Sequence, residues 1–326
     1  MFTKKIGNTD IEVSAMGIGC WAIGGPAFNL DGTAIGWGDV NDEDSVKGLH
    51  AAIDAGITLF DTSNMYGCGH SETLLGEALR GRRDRVVIST KFGWVFDAER
   101  RMKLGYDISP AYIRESLEGS LKRLQTDYID VYFLHVPTCS TEETEEARDT
   151  LNSLVREGKI RTYGWSVDDA SRAKCFAEEK YCQVMQFSEN IFEDNEEMEK
   201  LIEEYQISGF NRSPLAMGVL TGKFSTGSRL QKNDIRGREG GSRFFTNGGV
   251  DAAYLKKVEA IREILTQGGR TPAQGALGWV WARSGHNIPI PGFKNLRQIN
   301  DNVKALEFGP LSEKQMQEIS VILKNL

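Results

Sequence analysis

The chain has 326 residues, 40% hydrophobic and 26% charged, enough to bury a sizeable core beneath a water-facing shell. A net charge of −7 argues against a nucleic-acid partner, which needs a basic face for phosphates. No apolar run approaches the roughly 18 residues that span a bilayer, so no membrane association is expected. The opening Met1-Phe-Thr-Lys-Lys does not lead into a signal-peptide core. Cys20, Cys68, Cys139, Cys175 and Cys182 are scattered and odd in number, without CxxC spacing. Neither disulfides nor a metal site is expected, and a reducing cytoplasm is the expected compartment.

Short apolar runs alternate with amphipathic stretches from one end to the other. Residues 2–13 read as an N-terminal β-hairpin and 15–20 as a first strand. Asn41 can cap a helix with Asp42 to Asp44 in its first turn, an apolar face at Val46, Leu49 and Ile53, and Gly56 at its close. A strand at 57–61 is followed by a helix through Leu74, Leu75, Ala78 and Leu79, then a strand at 85–90. Ser109-Pro110 starts a helix through Ile113, Leu117, Leu121 and Leu124. Strand four is 129–134, and the helix with Leu151, Leu154 and Val155 ends at Gly158. Strand five is 160–165 with a helix near 170–179, and strand six is 182–187 with a helix through Met198, Leu201, Ile202 and Tyr205. Acidic stretches at 142–146 and 193–204 read as solvated helix faces. Strand seven is 207–211, then comes a long Gly- and Arg-rich segment, and helices follow at 253–265 and 271–283. Strand eight at 287–290 precedes final helices at 296–306 and 312–324.

Eight strand–helix units in this length predict an α/β fold, a (β/α)8 barrel with an N-terminal β-hairpin and extra C-terminal helices, in one domain over residues 1–326. A doubly wound open sheet competes for any β/α alternation. It requires a Gly-rich turn running from the first strand straight into a helix. Gly17, Gly19, Gly24 and Gly25 imitate this only in part, because Trp21 and Pro26 break the spacing and the first helix is distant.

In a barrel, reactive groups gather where strands end. Strand two ends in Asp61-Thr-Ser-Asn-Met-Tyr66, strand three in Ser-Thr-Lys91 and strand four in Leu-His135. An aspartate, a lysine and a histidine would each be costly to desolvate alone, but at one rim they compensate one another. A tyrosine hydroxyl ionises near pH 10, so an adjacent ammonium, itself held by a carboxylate, is expected to lower its pKa. An imidazole can orient a carbonyl oxygen. The set fits protonation of an oxygen while hydride reaches the attached carbon.

Phe60-Asp61-Thr-Ser-Asn-Met-Tyr66-Gly67 running on to Glu72 and Gly76, with Ser-Thr-Lys91 and Leu-His135, closely resembles the aldo-keto reductase signature. The similarity covers essentially the whole chain. The resemblance implies that Tyr66 is the general acid, that Lys91 and Asp61 tune it, and that His135 orients the carbonyl of a small-molecule substrate. Ser213-Pro-Leu215-Ala-Met-Gly218 through Lys223 resembles the family loop over the dinucleotide pyrophosphate. Gly292, Lys294, Gln298 and Asn302 resemble its adenosine and 2′-phosphate grip, which makes NADPH/NADP+ the implied cofactor, with Lys294 as the reason to prefer it over NADH. Arg297 is either a second phosphate contact or a solvated charge.

Two places depart from the family pattern. Gly164-Trp-Ser166-Val167 keeps the nicotinamide serine but not the asparagine after it, and Gln186 is followed by Phe187-Ser-Glu-Asn190, where Asn190 is the candidate substitute. Trp21, Trp94 and Phe92 are candidates for the walls of the carbonyl pocket. The segment 224–250, with Arg229, Arg236, Arg238 and Arg243, is either a cover over bound cofactor or a surface insert. Two other functions stay open here: a Schiff-base aldolase using Lys91, and a cofactor-binding regulatory protein resembling potassium-channel β subunits. The oligomeric state and the physiological substrate are not legible.

Overall fold

The computed structural model of the chain describes residues 2–326. Strands β1 (Thr3–Lys5) and β2 (Glu12–Ser14) form the expected antiparallel hairpin. After β3 (Gly17–Gly19) a long loop reaches α1 (Asp42–Asp54), where the Asn41 side chain accepts from the Asp44 amide as its cap. β4 (Leu59–Asp61), α2 (His70–Ala78) and β5 (Val87–Phe92) follow. An antiparallel pair not foreseen from the sequence, β6 (Trp94–Asp97) and β7 (Met102–Tyr106), is inserted before α3 (Pro110–Leu124), which Ser109 caps. Then come β8 (Ile129–Leu134), α4 (Thr141–Arg156), β9 (Ile160–Trp165), α5 (Ala170–Ala177), β10 (Val184–Ser188), α6 (Glu196–Glu204) and β11 (Ser208–Arg212). The chain ends with the small hairpin β12 (Phe245–Thr246) and β13 (Gly249–Val250), α7 (Ala252–Leu265), α8 (Pro272–Arg283), β14 (Asn287–Pro289), α9 (Leu296–Phe308) and α10 (Glu313–Lys324).

The parallel strands β3-β4-β5-β8-β9 form one arc and β10-β11-β14 another. Bridges Tyr163↔Cys182 and Ser166↔Gln186 join them on one side, and Gly19↔Gly292 closes the other. This is the (β/α)8 barrel expected. Its interior is apolar, built from Leu59, Val87, Val131, Phe133, Val184, Phe210, Ile288 and Ile290. Ile6, Ile11 and Val13 of the N-terminal hairpin join that cluster and plug the lower end. The larger apolar layer lies between strands and helices. Among the described residues, no helix is long and apolar enough to cross a membrane.

One open choice is narrowed and one expectation is corrected. The segment 224–250 is anchored and not wholly solvated, because Ile235, Phe244 and Phe245 are buried. The Ile235 amide donates to the Gly36 carbonyl at 2.8 Å and Asp234 bridges Trp37, so the segment packs against the loop after β3. The acidic face of α6 is not wholly solvated either. Glu199 is buried and pairs with Arg283 at 2.7 Å, beside the buried Glu189.

Candidate active site

Side chains of a strand alternate between its two faces, so every second residue of a barrel strand points inward. Leu59, Val87, Phe133, Val184 and Phe210 face the interior. By the same alternation Asp61, Ser89 and Lys91, His135, Gln186 and Arg212 also face inward, one or two steps higher. The apolar phase of each strand therefore carries its polar end residue to a common rim.

There the polar groups interlock. The fully buried Lys91 Nζ donates to Asp61 Oδ2 at 2.7 Å, to the Thr62 carbonyl at 2.7 Å and to the Tyr66 hydroxyl at 3.1 Å. Its three protons are thus all used. Asp61 Oδ1 accepts from Ser89 Oγ at 2.8 Å and Gln186 Nε2 at 2.9 Å, and Ser166 Oγ donates to Gln186 Oε1 at 3.0 Å. Trp21 stacks on Tyr66 at 5.8 Å between ring centroids. That stacking needs the loop after β3 pressed onto Gly67, where an added Cβ would stand 1.9 Å from the Gly24 carbonyl oxygen.

Electrostatics sharpens the roles. Burial raises the pKa of Tyr66 and outweighs the downward pull of Lys91, so the expected lowering is only one side of the balance. The phenol therefore keeps its proton at neutral pH. For Lys91 burial is again the largest single effect and opposes its charge, but Asp61 and Tyr66 together outweigh it and raise the pKa above the usual lysine range. Burial, with Lys91, Arg212 and Lys103 nearby, drives the His135 pKa well below its ordinary value, so the imidazole is neutral. Its Nδ1 lies 3.2 Å from Ser63 Oγ.

A cavity of about 650 Å³ opens above these groups. Asp61, Tyr66 and His135 form its floor, with Trp21, Trp37 and Trp94 on the walls, and it runs past Ser166 and Gln186 to Ser213, Leu215, Gly218 and Lys223, then to Gly292, Lys294, Gln298 and Asn302. Ser213, Ala216, Met217 and Gly218 all take left-handed φ values, from 47° to 97°. Lys223, Arg236 and Lys294 converge on that end of the cavity with one buried carboxylate, Asp234, among them. Arg236 holds Asp234 at 2.6 Å, while Lys294 donates to the Trp37 carbonyl and stands 3.8 Å from Asp234. Burial and the neighbouring Arg236 and Lys294 push the Lys223 pKa down to about 8. The Trp37 indole N–H is buried without an acceptor among the described residues. Surplus cations and an unanswered donor are the mark of a site built for an anion.

The model of the aldo/keto reductase family matches residues 15–324. The chain belongs to that family. It is therefore an oxidoreductase. It is 31% identical to aldo-keto reductase YhdN of Bacillus subtilis, over 98% of this chain and 93% of that one. It is also 31% identical to aldo-keto reductase yakc [NADP(+)] of Schizosaccharomyces pombe, over 97% of this chain and 90% of that one. Among solved structures it superposes on the glycerol dehydrogenase of Gluconobacter oxydans with a TM-score of 0.84 and 29% identity, covering 99% of this chain and 95% of the other.

With one exception, the site residues expected from the aldo-keto reductase resemblance line this one cavity. Lys91 lies sealed behind it. Arg297 lines it too, from an exposed position. Two further candidates do not reach it. Phe92 packs behind the barrel on Tyr132 at 4.7 Å, because it is one step out of phase with Lys91. Asn190 is buried and turned to Glu193 at 3.1 Å, so it does not replace the missing asparagine. In that region the cavity wall is Val167 and Asp168, and Asp168 pairs with Arg212. Ser63, Ser89, Lys103, Asp168 and Arg212 are not singled out as site residues by the sequence, whereas Arg236 is, within the 224–250 segment. For Ser89 and Arg212 the signal was present as two-residue phase with Lys91 and Phe210. Lys103, on an unforeseen strand, left none.

Proposed function

We propose that the chain, working as a single barrel domain over residues 1–326, is an NADPH-dependent reductase of aldehydes or ketones. Tyr66 is the general acid, Lys91 and Asp61 tune it, and His135 orients the carbonyl. Ser213, Leu215, Gly218, Lys223, Gly292, Lys294, Gln298 and Asn302 hold the cofactor, with Ser166 and Gln186 at its nicotinamide end. Trp21 and Trp94 wall the substrate. The bound cofactor supplies the hydride.

As charge builds on the carbonyl oxygen, Tyr66 passes its proton there, and Lys91, 3.1 Å from the phenol oxygen, stabilises the phenolate that remains. Asp61 keeps Lys91 charged at 2.7 Å. Ser63 Oγ accepts from the Met65 amide, and of the two acceptors within reach of its own proton, Asn64 Oδ1 at 3.4 Å and His135 Nδ1 at 3.2 Å, the imidazole is the nearer. The imidazole then presents Nε2–H to the substrate oxygen. The lysine–tyrosine contact, made just behind the floor of the cavity that also holds the Lys223–Arg236–Lys294 cluster, carries this reading. It disfavours an aldolase, because a lysine paired with Asp61 offers no free amine.

The test is NADPH oxidation with a panel of aldehydes, with Tyr66→Phe as control. Loss of the proton donor should lower kcat by at least about a hundredfold while NADP+ affinity holds. Undiminished turnover in that variant sinks the assignment.

A further inference from the structure

Lys103 belongs to β7, on the hairpin that flanks the cavity mouth. Its ammonium lies 4.2 Å from the Trp94 ring centroid and, among the described residues, has neither a carboxylate nor a hydrogen-bond acceptor. Half-burial pulls its pKa below the usual lysine range, and Arg238 pulls in the same direction. Of the other charges at this end of the cavity, Arg212 and Asp168 pair with each other and Asp61 is answered by Lys91, while Arg238, close to Lys103 but outside the lining, adds positive charge. His135 is neutral, so the substrate end holds one positive charge with nothing opposite it. Trp94 stands between that charge and the acid–base groups, its ring 6.4 Å from the His135 ring.

We propose that Lys103 is a specificity-determining residue that receives an anionic group of the substrate. The reductase then favours carbonyl compounds bearing a carboxylate, or a group of like charge, about one aromatic ring's width from the carbonyl. This rests on the reductase reading. The indole face gives the linking part of such a substrate an apolar wall, and the ammonium resting on it is already partly stripped of water. A half-exposed charge-assisted contact of this kind is worth about tenfold in preference.

The experiment compares 4-carboxybenzaldehyde with its methyl ester under saturating NADPH, in the native enzyme and in Lys103→Met and Lys103→Glu. The native enzyme should prefer the carboxylate in kcat/KM, chiefly through KM, and the preference should shrink as salt is added. Lys103→Met should lower the carboxylate-to-ester ratio about tenfold, and Lys103→Glu should lower it further. A ratio indifferent to both substitutions overturns the proposal. Benzoate and benzamide titrated against tryptophan fluorescence with NADP+ present provide a readout that needs no turnover. Benzoate affinity should fall in Lys103→Met relative to benzamide, and equal changes for the two ligands count against the proposal. Failure of every aldehyde to oxidise NADPH, with the benzoate effect intact, would instead remove the reductase reading and leave the anion site standing.

Discussion

At the scale of single residues, Asp61 and Lys91 are each tolerable only because of the other. Both are buried, and the pair is joined by a 2.7 Å contact, with further partners on Lys91 Nζ and on Asp61 Oδ1. Removing one charge strands the other in a dry environment, which costs about 3–5 kcal/mol. Asp61→Asn should therefore lower the midpoint of thermal unfolding and reduce kcat at least about a hundredfold, since Lys91 would no longer remain charged beside Tyr66. An Asp61→Asn enzyme with native melting and native kcat would show that the ion pair is dispensable. These residues were legible in the sequence because they end successive apolar strands. Tyr66 was less so, since it belongs to a loop, and its stacking on Trp21 depends on the close approach of Gly24 to Gly67.

At the scale of elements, under the proposed function the loop after β11 decides how cofactor binding varies with pH. Lys223 has its pKa pushed down to about 8, first by burial and then by Arg236 and Lys294. A phosphate beside it raises that pKa, so binding draws in a proton wherever the free lysine is neutral. NADP+ affinity should therefore be level below about pH 8 and weaken by up to about tenfold per unit above it. In Lys223→Met the affinity should be lower near neutrality and the slope above pH 8 should flatten, as read by titrating cofactor against fluorescence. Equal slopes in the two proteins would rule out Lys223 as the titrating group. The sequence is least legible at this same scale. Several strand ends shift by one or two residues, as in β5, expected at 85–90 and found at Val87–Phe92. The hairpin of β6 and β7 was missed because β6 is half-buried along its whole length and offers no apolar alternation.

At the scale of the whole molecule, the outer wall between α6 and α8 holds a pH-sensitive weak point. Glu189 is fully buried, its Oε1 lacks a hydrogen-bond partner, and Arg283 stands 3.7 Å away while pairing with Glu199. Burial, then the neighbouring Glu199, raises the Glu189 pKa from 4.5 to about 8. A carboxyl whose folded pKa is raised binds its proton more tightly when folded, so its contribution is intact at low pH and lost as pH climbs from about 4.5 to about 8. Glu189→Gln cannot ionise and should resist denaturant better than the native protein at alkaline pH, by on the order of a few kcal/mol. The advantage should shrink as the medium is acidified. Parallel pH profiles of the denaturation midpoint in the two proteins would refute it.

The sequence by itself determined the β/α alternation, the helix caps at Asn41 and Ser109, and the inward phase that sends Asp61, Lys91 and His135 to one rim. Those are local matters of period and capping, and a chain carries them wherever it folds. The tertiary structure alone decided how β3 meets the end of β14, which cations surround Asp234, and why Asn190 turns away. It also decided that Tyr66 keeps a raised pKa, since desolvation and Coulomb energy depend on depth and distance between groups far apart in the chain. Lys103 is the plainest instance, an ordinary lysine in the sequence that only the folded hairpin sets over Trp94 at the cavity mouth.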